Sequence, residues 1–189
     1  NERHTVRKLC KFKYGDIGTP VYVIMDSGEI WTVGGDGNKA GVGEYFGDTY
    51  TSLYKPAVSP NFPGALDIIS SNSFAFCVDK ERKLWHWGKT DAYGSARETT
   101  SNSWVHLMVR VGTGTTSSDF KSKYVHKFVS GGGQGDGSTN HSTYHYQITS
   151  ACIMTDGTLY TWGDNGTGSV GNGTTSTYQN TPWQISGTW

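Results

Sequence analysis

The feature that most constrains the fold of this chain is a twelve-residue segment that occurs three times. Aligned on a closing glycine, the copies run from Val23 to Gly34, from Cys77 to Gly88 and from Cys152 to Gly163. Each copy has a short apolar run, a polar turn, and a second run in which apolar or aromatic residues alternate with polar ones. Alternation with a period of two is typical of a β-strand. Each copy therefore predicts a β-hairpin of two short strands.

The three copies share aromatic and glycine positions. These repeat positions are Trp31, Trp85, Trp87, Tyr160 and Trp162, together with the closing glycines Gly34, Gly88 and Gly163. Ser27-Gly28 and Asp156-Gly157 predict tight turns, whereas the second copy has Lys80-Glu-Arg-Lys83 where a glycine turn is expected. The closing glycines are 54 and then 75 residues apart, which leaves room for about four strands in each unit.

The composition excludes several classes of protein. Gly, Thr, Ser and Asn make up 77 of the 189 residues, aromatic residues reach 13% and charged residues only 17%. A disordered chain would be poor in aromatic residues and rich in charge, and a helical bundle would need more Ala, Leu, Glu and Lys. No apolar stretch approaches the 18 residues of a membrane span, so we expect no membrane insertion.

Charge is balanced overall and uneven along the chain. The 16 basic and 16 acidic side chains cancel, so we expect no nucleic-acid partner. Five Lys and Arg residues precede position 14, whereas residues 128–189 contain none. We assign residues 1–16 to a basic N-terminal arm, which is either solvated or an electrostatic contact to a partner. The start has no signal-peptide pattern and is not Met, so we expect a processed chain or a part of a longer one.

The third copy and its continuation resemble a known repeat. An apolar strand, an Asp-Gly turn, Leu159-Tyr-Thr-Trp-Gly163, Asp164-Asn165, a glycine-rich loop and Thr181-Pro-Trp-Gln-Ile185 are together similar to the repeat of the regulator of chromosome condensation family. The likeness is fullest over Ser150 to Ile185, good from Tyr22 to Gly43, where Val33 replaces the usual aromatic residue, and weak in the second copy.

The resemblance implies an all-β fold of propeller-type blades, each a four-stranded antiparallel sheet. We place the repeat domain at residues 17–189, with blades at about 17–60, 61–111 and 124–189. Three blades do not close a ring, and an open propeller leaves strand edges exposed. The ring is completed by residues outside this chain or by another subunit, or the chain is a small open sheet assembly.

The largest departure from the repeat is an inserted loop at residues 134–147. Its candidate recognition residues combine aromatic rings with Asn and His, and they are Asn140, His141, Tyr144, His145 and Tyr146. Insertions in repeat proteins lie in loops on one face, often the binding face, and this mixture of side chains is typical of adaptable recognition loops. The alternative is a tolerated insertion without a binding role.

No catalytic or metal-binding arrangement stands out. His141 and His145 have a spacing that holds a metal on a helix, but they lie in a glycine-flanked, β-like segment without a nearby Cys or acidic ligand. Cys77 and Cys152 occupy equivalent places in separate copies, so we predict two buried thiols and no disulfide between them. We predict a non-enzymatic chain without cofactor or metal.

These patterns favour a binding or structural module that presents loops on a β scaffold. A composition low in charge and rich in Thr, Ser, Gly, Asn and Tyr is common in appendage proteins such as bacteriophage tail fibres. The leading hypothesis is a virion or cell-surface appendage that binds a protein or surface-glycan receptor or a neighbouring structural subunit, as part of an oligomer or larger chain. The family resemblance implies the alternatives: a cytoplasmic regulator of the nucleotide-exchange or chromatin-binding type, or a protein inhibitor.

Overall fold

The computed structural model describes residues 5–10, 20–34, 55, 58–70, 74–89, 104–112, 118–133, 147–176 and 178–187. Within them the chain forms eleven β-strands and one five-residue helix, which confirms the all-β prediction. The strands are β1 (Val6–Cys10), β2 (Val21–Met25), β3 (Ile30–Val33), β4 (Ala65–Ser70), β5 (Phe74–Asp79), β6 (Leu84–Lys89), β7 (Trp104–Arg110), β8 (Val125–Gly133), β9 (Gln147–Met154), β10 (Leu159–Asp164) and β11 (Tyr178–Gln184). The helix is α1 (Ser118–Ser122). None of the helical residues described is part of a helix long and apolar enough to cross a membrane.

The strands form three antiparallel sheets. The first sheet has the order β1-β2-β3, the second β4-β5-β6-β7 and the third β8-β9-β10-β11. Each twelve-residue copy forms a hairpin, namely β2/β3, β5/β6 or β9/β10, as the alternation predicts. The second and third sheets have the four strands expected of a propeller blade, and three strands of the first lie in the described residues.

The chain divides into two compact units. Unit 1 contains Asn1–Lys89 and Ser103–Arg110, and therefore the first and second sheets. Unit 2 contains Thr90–Asn102 and Val111–Trp189, and therefore α1 and the third sheet. The predicted blade limits at residues 17–60, 61–111 and 124–189 stay predictions.

Strand β1 differs from the prediction that residues 1–16 form an arm. It pairs with β2 as the outer strand of the first sheet, with Cys10 opposite Tyr22. Its burial is low until Cys10, which is why a sequence rich in Lys and Arg looks like a solvated segment. The strand forms because β2 offers an edge of unpaired backbone groups, and local sequence does not report such an edge.

The basic side chains of β1 contact the second sheet. The Arg7 guanidinium donates to the carbonyl oxygen of Ala65 at 3.2 Å and also to that of Leu66. The Lys8 ammonium lies 2.5 Å from the carboxylate of Asp67. Both described cations therefore make contacts within unit 1.

The core of unit 2 forms around the aromatic residues of the third sheet. Phe120 of α1 meets the rings of Tyr160 and Trp162 edge-on, with centroids 5.2 Å and 5.8 Å away. Phe128 of β8 stacks on Trp162 with centroids 5.8 Å apart. The short helix, which the sequence analysis did not predict, thus brings Phe120 over the sheet.

Candidate binding surfaces

The repeat positions are structural. Trp85, Trp87, Tyr160 and Trp162 are buried, and Trp31 is half-buried. The closing glycines Gly34, Gly88 and Gly163 all have positive φ, at 75°, 104° and 118°. These residues therefore build the sheets, and a binding surface has to come from the side chains around them.

The repeat distinguishes two faces of each hairpin. We call the face that carries Val23, Trp31 and Val33, or their equivalents in the other copies, the aromatic face. We call the face that carries Tyr22, Ile24 and Thr32, or their equivalents, the reverse face. Adjacent residues of a strand point to opposite sides of a sheet, so this assignment follows from the register alone.

In unit 1 the aromatic face of the second sheet packs on the reverse face of the first. The indole Nε1 of Trp87 donates to the hydroxyl of Tyr22 at 3.1 Å. The two rings meet edge-on with centroids 5.4 Å apart and an interplanar angle of 83°. Ile24 and Cys77 belong to the same buried cluster. The described part of unit 1 therefore contains one complete contact between two neighbouring sheets.

The third sheet buries its aromatic face and exposes its reverse face. Cys152, Tyr160 and Trp162 are buried, whereas Ile153 and Trp183 are exposed. Trp183 belongs to the reverse face because it lies opposite Thr161 in the pairing of β10 with β11. An exposed apolar sheet face on a folded domain indicates an interaction site.

A glycine-rich loop after β10 is held by a buried amide. The Asn165 amide nitrogen lies within 3.1–3.2 Å of four acceptors: the side-chain oxygens of Asn172, Thr174 and Ser176, and the Thr174 carbonyl. The Asn165 side-chain oxygen accepts the backbone N–H of Val170 at 3.1 Å. Because Asn165 is fully buried, these bonds fix the loop against the sheet.

The outer surface of this loop is exposed, hydroxyl-rich and uncharged. Its exposed residues include Thr167, Ser169, Thr174, Thr175 and Ser176, with no Lys, Arg, Asp or Glu among residues 165–178. In the sequence, the signals of this loop are Asp164-Asn165 and the glycines that follow, and they do not by themselves indicate a binding surface.

The candidate recognition residues Asn140, His141, Tyr144, His145 and Tyr146 lie outside the described residues, as does nearly all of the predicted inserted loop at 134–147. Their recognition role stays a prediction.

The three cysteines are free and buried, which confirms the prediction of two buried thiols at Cys77 and Cys152. Burial raises the pKa of the Cys152 thiol to about 12 and that of Cys77 well above its usual range. The pKa of Cys10 is also raised by burial. Since the thiolate is the reactive form, these residues are poor nucleophiles. In the described ranges, no group of three His, Cys, Asp or Glu residues is arranged to hold a metal ion.

Part of the third sheet, including β10 and β11, matches a known repeat. Residues 156–188 match the Regulator of chromosome condensation (RCC1) repeat, which confirms the resemblance seen in the third copy. No curated protein matches the chain in sequence.

Solved structures show a similar fold at low identity. Prp20p from Saccharomyces cerevisiae, with binding properties toward Gsp1p and histones, is 16% identical, and the match covers 98% of this chain and 39% of that chain with a TM-score of 0.68. Human WBSCR16 is 15% identical, with 98% and 54% covered and a TM-score of 0.52. The chain thus spans about two-fifths and about half of these two structures. Its fold is that of RCC1-type β-propeller blades.

Proposed function

We propose that this chain is a non-enzymatic protein-binding module in which propeller-type blades present a preorganised loop. The observation that carries the proposal is the loop held by Asn165. Its backbone is set by a buried amide, which the Thr174 hydroxyl also contacts, while Thr167, Ser169 and Thr175 are exposed. A loop that is already ordered loses little conformational entropy when a partner binds, so its contacts contribute fully to affinity.

The composition supports the setting that we propose for this module. Few charges and many Thr, Ser and Gly residues suit an appendage on a virion or cell surface, where the partner is a receptor or a neighbouring structural subunit. Immunogold labelling of intact particles and cells from the source with an antibody against this chain tests the setting. Label at the surface is the expected result, and label confined to the cytoplasm contradicts it.

Loop variants test the binding role. We expect cross-linking in intact source material to capture a protein with the wild-type chain, and Thr175→Arg or Ser169→Arg to reduce that capture at least tenfold. Thr155→Arg is the matched control, because Thr155 is an equally exposed threonine at the opposite end of the β9/β10 hairpin. Equal capture by wild type and both loop variants, with the fold intact, contradicts the proposal.

A second candidate function is favoured by the structural similarity to Prp20p. If the chain is a cellular regulator, purified core histones are a direct probe, with Prp20p as the positive control. Binding that persists at physiological salt and is lost in Ser169→Arg favours the regulator. Absence of binding beside a positive Prp20p control argues against histones as the partner.

A further inference from the structure

The exposed apolar side chains of the described residues are concentrated on two sheet faces. Seven large hydrophobic side chains are exposed in this part of the chain. Five of them, with exposures between 40% and 68%, lie on the aromatic face of the first sheet or on the reverse face of the third, and they are Val6, Leu9, Val129, Ile153 and Trp183. A scattered distribution would need no explanation, but this one does.

Strand pairing assigns these residues to the two faces. On β1, Leu9 lies opposite Val23, so it belongs to the aromatic face of the first sheet. Val6 lies opposite Met25, two residues further along β2 on the same side. Trp31 and Val33 extend this face and are half-buried, whereas Val23 and Met25 at its centre are buried, so the open part of the face lies along β1.

On the third sheet the register forms a row across all four strands. Val129 lies opposite Ala151, Ala151 opposite Thr161, and Thr161 opposite Trp183. Ile153 stands in the adjacent row. The reverse face of the third sheet is therefore continuous from β8 to β11.

The contact between the first and second sheets in unit 1 shows that the reverse face of one sheet packs on the aromatic face of another. Ile24 of the first sheet is fully buried beneath the aromatic face of the second sheet, whereas Ile153, its equivalent in the third sheet, is 40% exposed. The isoleucine at this repeat position is thus packed against a neighbouring sheet in the first sheet and is exposed in the third. In repeat architectures each unit buries its apolar face against a neighbouring unit. The reverse face of the third sheet therefore resembles a surface on which another sheet packs.

The hydrogen bond between Trp87 and Tyr22 in unit 1 indicates which kind of sheet can pack on this surface. In unit 1 the incoming Trp87 donates its indole N–H to the Tyr22 hydroxyl. The equivalent of Tyr22 in the third sheet is Ala151, which has no side-chain acceptor. If the incoming face had a tryptophan at the position of Trp87, its indole N–H would be buried without the acceptor that Tyr22 provides in unit 1, which is unfavourable. The first sheet has Val33 in place of that tryptophan, and valine has no side-chain donor.

We infer that this chain self-associates head to tail, the reverse face of the third sheet in one copy receiving the aromatic face of the first sheet in a second copy. Both faces are largely apolar, with Lys127 opposite Ile153 as a cation on the reverse face, and Val33 brings no side-chain donor to the surface around Ala151. The two patches differ from each other, so the interface is heterologous and the assembly retains one free face of each kind, one at each end.

The Thr161 hydroxyl on this face donates to the Val170 carbonyl at 2.6 Å, so the loop held by Asn165 borders the face. The inference is tested at Leu9, Ile153 and Trp183, which lie outside the loop, so its failure is distinguishable from failure of the proposed function.

Sedimentation equilibrium of the 189-residue chain tests the inference. We expect the mass to rise above that of the 20.6 kDa monomer as concentration increases. The reverse-face variant Ile153→Glu/Trp183→Glu and the aromatic-face variant Leu9→Glu should each weaken association at least tenfold. Val58→Glu is the control, because Val58 is 37% exposed but belongs to none of the strands of the first or third sheet. Circular dichroism checks that each variant folds, and Val129→Lys replaces the double variant if that one does not.

A mixing experiment separates head-to-tail association from a symmetric dimer. The reverse-face variant keeps an intact first sheet, and the aromatic-face variant keeps an intact third sheet. Mixed in equal amounts, the two monomeric variants should form a 1:1 heterodimer that does not grow further. A wild-type chain that stays monomeric at about 100 µM, well above the Kd range of stable interfaces, overturns the inference. A mixture that stays monomeric, or folded variants that associate as well as wild type, also overturns it.

Discussion

The hairpins of the second and third sheets have the same backbone conformation at the turn, although only one of them has glycine there. Gly157 has a φ of 84°, and Arg82 at the equivalent position has a φ of 59°. The left-handed region costs a residue with a Cβ roughly 1–2 kcal/mol. A Cβ added at Gly157 would meet no atom within 4 Å. Because strain opposes a side chain here and collision does not, the turn tolerates Arg82.

The closing glycine is present in both hairpins for a different reason. A Cβ at Gly163 would lie 2.1 Å from the carbonyl oxygen of Ile148 and 3.0 Å from the Cα of Thr149. Those atoms belong to the backbone of the paired strand β9, which cannot move aside without breaking the sheet. Gly88 has the same left-handed conformation in the second sheet. At Gly163, therefore, glycine is required because the neighbouring backbone fills the space that a Cβ would occupy.

The second hairpin also has a polar contact that the third does not use. The Asp79 carboxylate accepts the Lys83 backbone N–H at 2.7 Å and the Trp85 indole N–H at 2.6 Å, in a buried position. The equivalents of Asp79 and Trp85 in the third hairpin are Met154 and Tyr160. The Tyr160 hydroxyl donates to the Gln184 side-chain oxygen at 3.2 Å instead. In these two hairpins the acid accompanies the indole and the thioether accompanies the phenol, whereas the first hairpin has Met25 with Trp31.

The largest predicted effect compares the two glycines of the third hairpin. Gly163→Ala should lower the free energy of unfolding by about 3 kcal/mol or more, because it adds a collision to the strain. Gly157→Ala should cost only about 1 kcal/mol, since strain acts alone. Urea denaturation measures both. Equal losses would show that the collision at Ile148 does not distinguish the two positions.

The second prediction concerns the acid of the second hairpin. Asp79→Ala should cost about 2–3 kcal/mol, because the Trp85 indole N–H is left buried without that acceptor. The exchange Asp79→Met/Trp85→Tyr installs the pair of the third hairpin and should recover about 1 kcal/mol of the sum of the single losses. A double-mutant cycle by urea denaturation measures the coupling, and additive losses would contradict it.

The third prediction relieves the strained turn. Arg82→Gly should raise the free energy of unfolding by up to about 1 kcal/mol, because relief of the left-handed strain exceeds the added entropy of the unfolded chain. Arg82→Lys is the matched control, since it keeps a long cation and the strain. A Tm for Arg82→Gly at or below that of Arg82→Lys would mean that the left-handed conformation at Arg82 carries no strain in the β5/β6 hairpin.

The smallest predicted effect is a pH dependence confined to the third hairpin. Hydrogen bonds from the Lys123 ammonium and from the Thr158 hydroxyl and backbone N–H hold the pKa of the Asp156 carboxyl well below its usual range. Because the pKa is lower in the folded state than in the unfolded state, the ionised carboxylate stabilises the fold at pH values above the ordinary aspartate pKa. This stabilisation is lost as the pH falls. The Tm difference between wild type and Asp156→Asn should therefore shrink below about pH 4. Glu81→Gln, at the equivalent position of the second hairpin, is the matched comparison, and a difference unchanged down to pH 3 would refute the prediction.

The elements that sequence did not predict were missed for different physical reasons. Strand β1 has a charged sequence, and it becomes a strand because β2 lies beside it and because Arg7 and Lys8 reach the second sheet. The helix α1 is five residues long and has too few residues for a helical period to be visible. The loop held by Asn165 was visible as a glycine-rich motif, but four acceptors around one amide are a tertiary arrangement.

The sequence by itself determined the three hairpins and their closing glycines. These features follow from a period of two and from the space beside a paired strand, both of which repeat with the segment itself. Only the tertiary structure decided which faces are covered. Ile24 and Ile153 are the same residue at the same repeat position, and one is buried while the other is exposed. Burial depends on what packs against a face, and a repeated sequence is the same whether or not a neighbour is present.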